Sequence, residues 1–392
     1  MLARPGVDAD SLTLRSVCCY GRHPMSRSAR KALLSLLALV VIGALLYGQR
    51  SSIHYQGFTW TKLGEAIRGA RLDLLLLSLI AIYFCYWIRA LRWMRLSRHL
   101  GPANLWRVYA ATLMGFLAIV LFGRPGEPVR PLLIARREHL SISGQFGIYV
   151  VERVFDIATT IVITGWTLMY LPGLLRERES ADSSIHSSAL LPGLQKAGFV
   201  LFASLAVAAV FLVYLGLTRG GFLGRAVVRW HHASGWRKRV ALIFAGFLEG
   251  LQALRTWGDL ASAVGLTAAH WILVLFIYCW VPWSFGGRLG SFSMRDAIVI
   301  LACTMLGSTL QLPLIGGGSW VGSFLGMTLF LGVSKEPAMA SAVTLWLITF
   351  AGCSIAGIPL LLREGMSLGD LRRIASETGT EASAAASRGT QP

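Results

Sequence analysis

Long uncharged apolar runs constrain this chain more than any other feature. Several extend for 15 or more residues without Asp, Glu, Lys or Arg, as at 32–48 and 157–171. Runs of this length mark membrane spans, because about 20 apolar helical residues cross the hydrocarbon core. Composition agrees: of 392 residues, 55% are hydrophobic and 14% charged, against about 25% charged in ordinary soluble domains. A soluble enzyme, a disordered chain, a coiled coil and a secreted disulfide scaffold are excluded. An outer-membrane barrel is disfavoured, since it would alternate over segments of about 10 residues.

The formal net charge is +18. In a soluble protein this would suggest nucleic acid, but here the basic residues occupy short loops between apolar runs. Cytoplasmic loops of membrane proteins collect Lys and Arg, and anionic lipid surfaces attract them. The expected partners are therefore membrane lipids, not nucleic acid. The six cysteines, Cys18, Cys19, Cys85, Cys279, Cys303 and Cys353, form no CxxC pair and read as small buried hydrophobes.

The apolar runs fall at about 32–48, 72–88, 103–122, 146–171, 198–217, 262–285, 297–333 and 338–362. Residues 1–31 carry six basic and two acidic side chains. The basic lead Met25–Lys31 predicts that Met25 initiates the native chain, with 1–24 as an extension. The loops 89–107 and 218–239 carry five and six basic residues and no acid, whereas 172–197 is balanced. The positive-inside rule places the first two in the cytoplasm and the third outside. An odd number of crossings must then separate 89–107 from 172–197, yet two apolar runs lie between them. The run 103–122 is the one expected not to cross. It holds Gly115 and ends in Gly123-Arg124-Pro125-Gly126-Glu127-Pro128, a helix-breaking cluster.

A re-entrant hairpin satisfies this parity, since broken backbone at membrane depth is tolerated where protein or a wet cavity surrounds it. The stretch 297–333, split by Pro313 and Gly316-Gly317-Gly318, reads as a second hairpin entered from the other side. The expectation is an all-α integral membrane protein with about six full spans and two re-entrant or broken hairpins in an inverted-repeat arrangement. Its transmembrane domain covers 32–362. The N-terminal 1–31 and the tail 363–392 are expected in the cytoplasm, in a plasma (inner) membrane setting. The cytoplasmic side is also expected for 123–145 and 218–260, and the external side for 49–71 and 286–296. Residues 240–258 and 58–67 have the spacing of interfacial helices.

Three charged clusters stand out. Arg89, Arg92 and Arg95, with Trp93, end one span; they read as a snorkelling collar or as guanidinium forks for lipid phosphate. Arg124, Glu127 and Arg130 sit in the Pro- and Gly-rich loop, which reads as a rigid turn or as a loop presenting charge to a head group. Glu152, Arg153 and Asp156 lie within the next span. Each such charge costs about 2.5–3.5 kcal/mol on insertion scales, so it must face a partner or a cavity. The expected pairs are Arg124 or Arg130 with Glu152 or Asp156, and Glu127 with Arg153. The glycines Gly316, Gly317 and Gly318 read as a hairpin tip or a close helix approach. No metal-binding spacing, cofactor fingerprint or hydrolase motif is present in the sequence, so no catalytic residue, metal or cofactor is expected.

The elements Arg-x-x-Arg-Trp at 89–93, Gly-Arg-x-Gly-Glu-x-x-Arg-Pro at 123–131, Val-x-Glu-Arg-x-x-Asp at 150–156 and Pro-x-x-Gly-Gly-Gly at 313–318 occur in that order. Together they resemble the flippase-like transmembrane domain of lysylphosphatidylglycerol synthases, over about residues 30–365. The resemblance implies an integral inner-membrane protein that binds or moves a lipid with a polar head group. About 30 residues follow the last expected span, so no soluble aminoacyl-transferase domain is expected. The glycine element departs from the family form, because Gly318 is followed by Ser319-Trp320-Val321-Gly322 with no nearby acid. The leading function is translocation of a polar or anionic lipid. The alternatives are a membrane-embedded lipid or glycan transferase, whose acid or base candidates are Glu127, Glu152 and Asp156, and a non-transporting partner of a lipid-synthesis complex.

Overall fold

The structure, a computed structural model, describes residues 60–179, 191–217, 252–254, 256–308, 318–364, 369 and 373. The chain divides into a unit Met1–Phe58, outside the described residues, and a unit Thr59–Pro392. The second is all-α among the described residues: α1 (Trp60–Arg68), α2 (Leu72–Ser97), α3 (Leu105–Phe122), α4 (Val129–Glu138), α5 (Ile142–Glu179), α6 (Leu191–Leu217), α7 (Trp257–Ser284), α8 (Met294–Gly307), α9 (Ser319–Phe330) and α10 (Lys335–Arg363). Four of these, α2, α3, α7 and α10, are long and apolar enough to cross a membrane. The chain is a multi-span membrane protein. Of the other expected spans, 146–171 falls within α5 and 198–217 within α6, while 32–48 lies outside the described residues. Most of 240–258 and the glycines Gly316 and Gly317 also lie outside them.

Local chemistry sets the helix ends. Asn104 caps α3 by accepting from the backbone N–H groups of Trp106 and Arg107. Thr256 with Asp259, and Ser293 with Asp296, form capping boxes at the starts of α7 and α8, satisfying donors that a helix start leaves unpaired. Gly123 ends α3 at φ 70°, a conformation that favours glycine. Gly115 does not interrupt α3. It lies within the helix, where an added Cβ would stand 2.6 Å from Arg130 Cβ. Lack of a side chain here serves close packing.

Contacts at the helix ends establish the topology. At the Arg71 end of α2, the Arg71 N–H donates to the Ser284 carbonyl over 2.8 Å, so α7 runs antiparallel to α2. At the Ser97 end, Arg95 donates to Ser262 near the start of α7 over 3.4 Å. The segment α3–α4 leaves from the Ser97 end and returns to it, because the Asn104 N–H donates to Glu138 Oε2 over 2.8 Å. Its tip is a one-turn 3-10 helix, Arg124–Gly126, with Gly126 pressed against the backbone of Ala118. The segment α8–α9 leaves from the Arg71 end and returns there, since Arg288 Nε donates to the Leu331 carbonyl over 3.0 Å. Two helical hairpins thus open at opposite ends of the bundle.

Glycines knit the second hairpin. Gly307 and Gly318 meet backbone to backbone, and Gly322 lies against the Cys303 carbonyl. Between them the Thr304 and Ser323 hydroxyls are 2.6 Å apart. Small residues at such crossings let helix backbones approach where lipid offers no hydrophobic drive. In α10 a π turn at Leu347–Ala351 shifts backbone carbonyls out of register. The Tyr83 and Tyr86 hydroxyls of α2 donate to the Gly352 and Thr349 carbonyls there.

Two measurements check this arrangement. Single cysteines replacing His99, Leu140 and Glu364 should react with a membrane-impermeant thiol reagent from one side, and cysteines replacing Arg288 and Ser291 from the other. Gly322→Ala would force overpacking against the Cys303 backbone, so its thermal stability in detergent should fall by roughly 1–3 kcal/mol. Gly265→Ala, on an open face of α7, should stay level or gain about 0.5–1 kcal/mol, because glycine is the poorer helix former.

Candidate functional site

α5 carries the carboxylates. Glu152 and Asp156 are one turn apart and share a helix face. Glu152 is ten residues from the start of α5, or about 15 Å at 1.5 Å per residue. Thr267 is likewise ten residues from the start of α7. Helix rise therefore gives both the same depth, about 15 Å from the Ser97 end.

Three guanidinium groups converge on these carboxylates. From α2, Arg92 Nη2 reaches Glu152 Oε1 at 2.6 Å and Asp156 Oδ1 at 3.2 Å, while its Nη1 donates to Thr267 Oγ1 over 2.6 Å. One turn earlier, Arg89 Nη2 reaches Asp156 Oδ2 at 2.6 Å and Arg89 Nε reaches Glu152 Oε1 at 3.3 Å. From α4, the first hairpin's returning arm, Arg130 Nη2 binds Glu152 Oε2. Arg92 and Glu152 are each 1% exposed. The cluster lies where two apolar cores meet along α2: Cys85 and Tyr86 belong to one, Ala90 and Trp93 to the other.

Trp93 supports the cluster from the side. Arg130 Cζ lies 4.0 Å from its ring centroid, within cation–π range, and Trp93 Nε1 donates to Gln145 Oε1 over 2.6 Å. Arg89 stands over the Phe116 ring at 5.4 Å. Next to the cluster, the Tyr149 hydroxyl donates to a Glu127 oxygen, and the Arg153 guanidinium lies 5.0 Å from the Tyr149 ring.

Of the residues singled out in the sequence, the structure joins Arg89, Arg92, Arg130, Glu152 and Asp156. Arg92 is no snorkelling collar, because its head is buried and paired; Arg95, one turn further, is the exposed member of that row. The expected Arg130–Glu152 pair is present. The expected Glu127–Arg153 pair is replaced by Tyr149, which takes the Glu127 carboxylate and offers Arg153 its ring. Arg124 is exposed at the hairpin tip, away from the expected pairing. Gly318 lies at the α8–α9 contact. The sequence reading missed Gln145, Tyr149 and Thr267. Gln145 and Tyr149 had a signal, since 145, 149, 152 and 156 trace one helical stripe. Thr267 had none within its apolar run.

Among the described residues, no group of three or more His, Cys, Asp or Glu side chains is placed to hold a metal. Glu152→Gln would leave the buried Arg92 and Arg130 and the half-buried Arg89 short of charge, and loss of one partner of a buried pair costs about 3–5 kcal/mol. Thermal denaturation in detergent should show that loss. Arg95→Gln, on the exposed face, should stay within about 0.5 kcal/mol of the parent.

Residues 32–357 match the family model described as the lysylphosphatidylglycerol synthase TM region. Comparison with curated proteins and with solved structures gives no match. The matched span includes both hairpins and every member of the charged cluster, and the chain belongs to the lysylphosphatidylglycerol synthase transmembrane-region family.

Proposed function

We propose that this protein binds a polar or anionic membrane lipid and moves its head group between leaflets along the polar face of α5. The observation that carries this reading is the cluster itself: three arginines from two helices compete for two buried carboxylates within an apolar bundle. Guanidinium forks fit phosphate oxygens as well as carboxylates. A lipid phosphate can therefore exchange with Glu152 or Asp156 for the arginines, while its tails stay in the hydrocarbon. The head group then crosses without full desolvation, which is the main barrier to its movement.

The polar face continues beyond the cluster. α5 carries Gln145, Tyr149, Glu152, Asp156, Thr160, Thr164 and Thr167 at steps of three or four residues. Helix rise spreads these over about 33 Å, close to the thickness of a hydrocarbon core. The hydroxyls of Thr160 and Thr167 bond back to their own helix, so that half of the stripe carries dipoles and no charge. Charged capture on one side and neutral hydroxyls on the other suit entry from the Ser97 end.

In this reading the hairpins are re-entrant and enter from opposite membrane faces, as the halves of an inverted-repeat transporter do. The Ser97 end faces the cytoplasm of the inner membrane, as the basic loops 89–107 and 218–239 indicate, and both termini lie on that side. The protein's task is movement of a lipid, with no covalent step.

Reconstituted vesicles containing a fluorescent phospholipid provide the test. Arg92→Lys keeps the charge but cannot bridge Glu152, Asp156 and Thr267 together. It should slow transbilayer movement about tenfold or more, the loss expected for a charged hydrogen bond. Size-exclusion chromatography and thermal denaturation would first establish that the variant is folded. Wild-type rates in both folded Arg92→Lys and Arg130→Lys would overturn the reading and leave the charges a structural role.

A further inference from the structure

Several buried donors around the cluster have no partner among the described residues. All four carboxylate oxygens are taken: Glu152 Oε1 by Arg89 and Arg92, Glu152 Oε2 by Arg130, Asp156 Oδ1 by Arg92 and Asp156 Oδ2 by Arg89. Three buried N–H groups nearby have no acceptor among the described residues: Arg130 Nε, Gln145 Nε2 and Arg153 Nε. The Gln145 assignment is chemically fixed. Indole Nε1 only donates, so the amide atom facing Trp93 must be oxygen and the unmatched atom must be the NH₂. Other polar atoms among the described residues are unmatched as well: Glu138 Oε1 at the hairpin's opening, with Arg107 3.9 Å away, Thr164 Oγ1 further along α5, and His270 Nδ1 on α7 near Arg89 and Arg92.

Two of these donors share one neighbour. Gln145 is fully buried and Arg130 is 4% exposed, and they flank a single indole, Arg130 over the Trp93 ring and Gln145 at its Nε1 edge. Arg153 is on α5 next to Glu152. Native structures pair nearly all buried N–H groups, so two unmatched donors around one side chain, with a third on α5 at Arg153, point to an acceptor supplied from outside the chain. Charge points the same way. The four arginines Arg89, Arg92, Arg130 and Arg153 stand in the same region as three carboxylates, Glu127, Glu152 and Asp156, which leaves one positive charge over.

Building on the lipid-handling reading above, we infer that Arg130, Gln145 and Arg153 form the head-group subsite. It takes the phosphate of an anionic lipid whose head carries no ammonium group. Phosphate oxygens supply acceptors for these donors and negative charge to offset the surplus arginine. An ammonium head group adds a further cation to a cluster in which arginines already outnumber carboxylates. Selection by charge sign is thus built into the pairing pattern.

Binding to the purified full chain tests this, with short-chain phosphatidylglycerol, short-chain phosphatidylethanolamine and inorganic phosphate as probes, read by native mass spectrometry. Phosphatidylglycerol should bind about tenfold tighter than phosphatidylethanolamine, and inorganic phosphate about a hundredfold weaker than phosphatidylglycerol, because it has no chains to bury. Gln145→Glu keeps an acceptor for Trp93 but replaces the free donor with an anion, and should abolish the preference. Should that variant fail to fold, Gln145→Met removes the donor without adding charge and should weaken phosphatidylglycerol binding about tenfold. Equal binding of the two lipids, an unchanged preference in the folded Gln145 variant, or inorganic phosphate binding as tightly as lipid would each overturn the subsite. Failure here with lipid movement intact in vesicles refutes only the subsite, whereas loss of both binding and movement refutes the lipid-handling reading too.

Discussion

An unpaired charge in hydrocarbon is so unfavourable that it dictates its own neighbours. A carboxylate at the depth of Glu152 needs a cation, and a guanidinium at Arg92 needs an acceptor. α5 supplies two acids one turn apart, and no cation on α5 meets them. The acids are met by α2 through Arg89 and Arg92 and by the α3–α4 hairpin through Arg130. α7 joins through the Thr267 hydroxyl. One electrostatic requirement therefore fixes the positions of four segments. Buried ion pairs contribute little net stability compared with well-packed apolar groups, but breaking one is strongly unfavourable. Here that asymmetry penalises any register other than the one that satisfies every partner.

The first hairpin shows the requirement at work. Arg130 can reach Glu152 only if the chain turns sharply after α3 and brings α4 back against it. Gly123 makes the turn at positive φ, Gly126 lets the tip lie on Ala118, and Gly115 accepts the Arg130 backbone. The glycines and prolines between 115 and 131 thus act together with the charges. At the hairpin's opening, Arg107 and Glu138 pair across its arms at 3.9 Å, and Arg137 pairs with Glu364 beyond α10.

The parts of this arrangement legible in the sequence are those encoded locally. Uncharged runs mark the long helices, the Gly- and Pro-rich stretch marks a hairpin tip, and two acids at i,i+4 inside an apolar run announce a buried polar site. Partner choice is less legible, because it depends on the register between helices, which hydropathy does not encode. Arg92 and Arg95 look alike in the sequence, yet one is buried and the other exposed, a difference set by which face α7 and α5 cover. Charge alone pairs Glu127 with Arg153. Tyr149, one turn before Arg153, takes the carboxylate instead, because a phenol can serve an acid with its hydroxyl and a cation with its ring. Thr267 stood in an apolar run and became visible only when Arg92 was placed opposite it.

The two hairpins are held by different forces, and this bears on where motion can occur. In the second, Gly307, Gly318 and Gly322 place backbone against backbone, and contacts so close leave no side chain to rearrange. Sliding there would lose dispersion contacts with nothing to replace them. In the first, the hairpin is tied to the rest by arginines on shared carboxylates. A guanidinium can pass from one oxygen to the next, or to a phosphate, with little change in the number of its hydrogen bonds. On the proposed reading, a lipid head group entering the cluster would act on the first hairpin, with the second as the fixed reference. Because the carboxylates that would release an arginine remain on α5, the same pairs could re-form once the head group left, so the proposed cycle needs no additional group to reset the site.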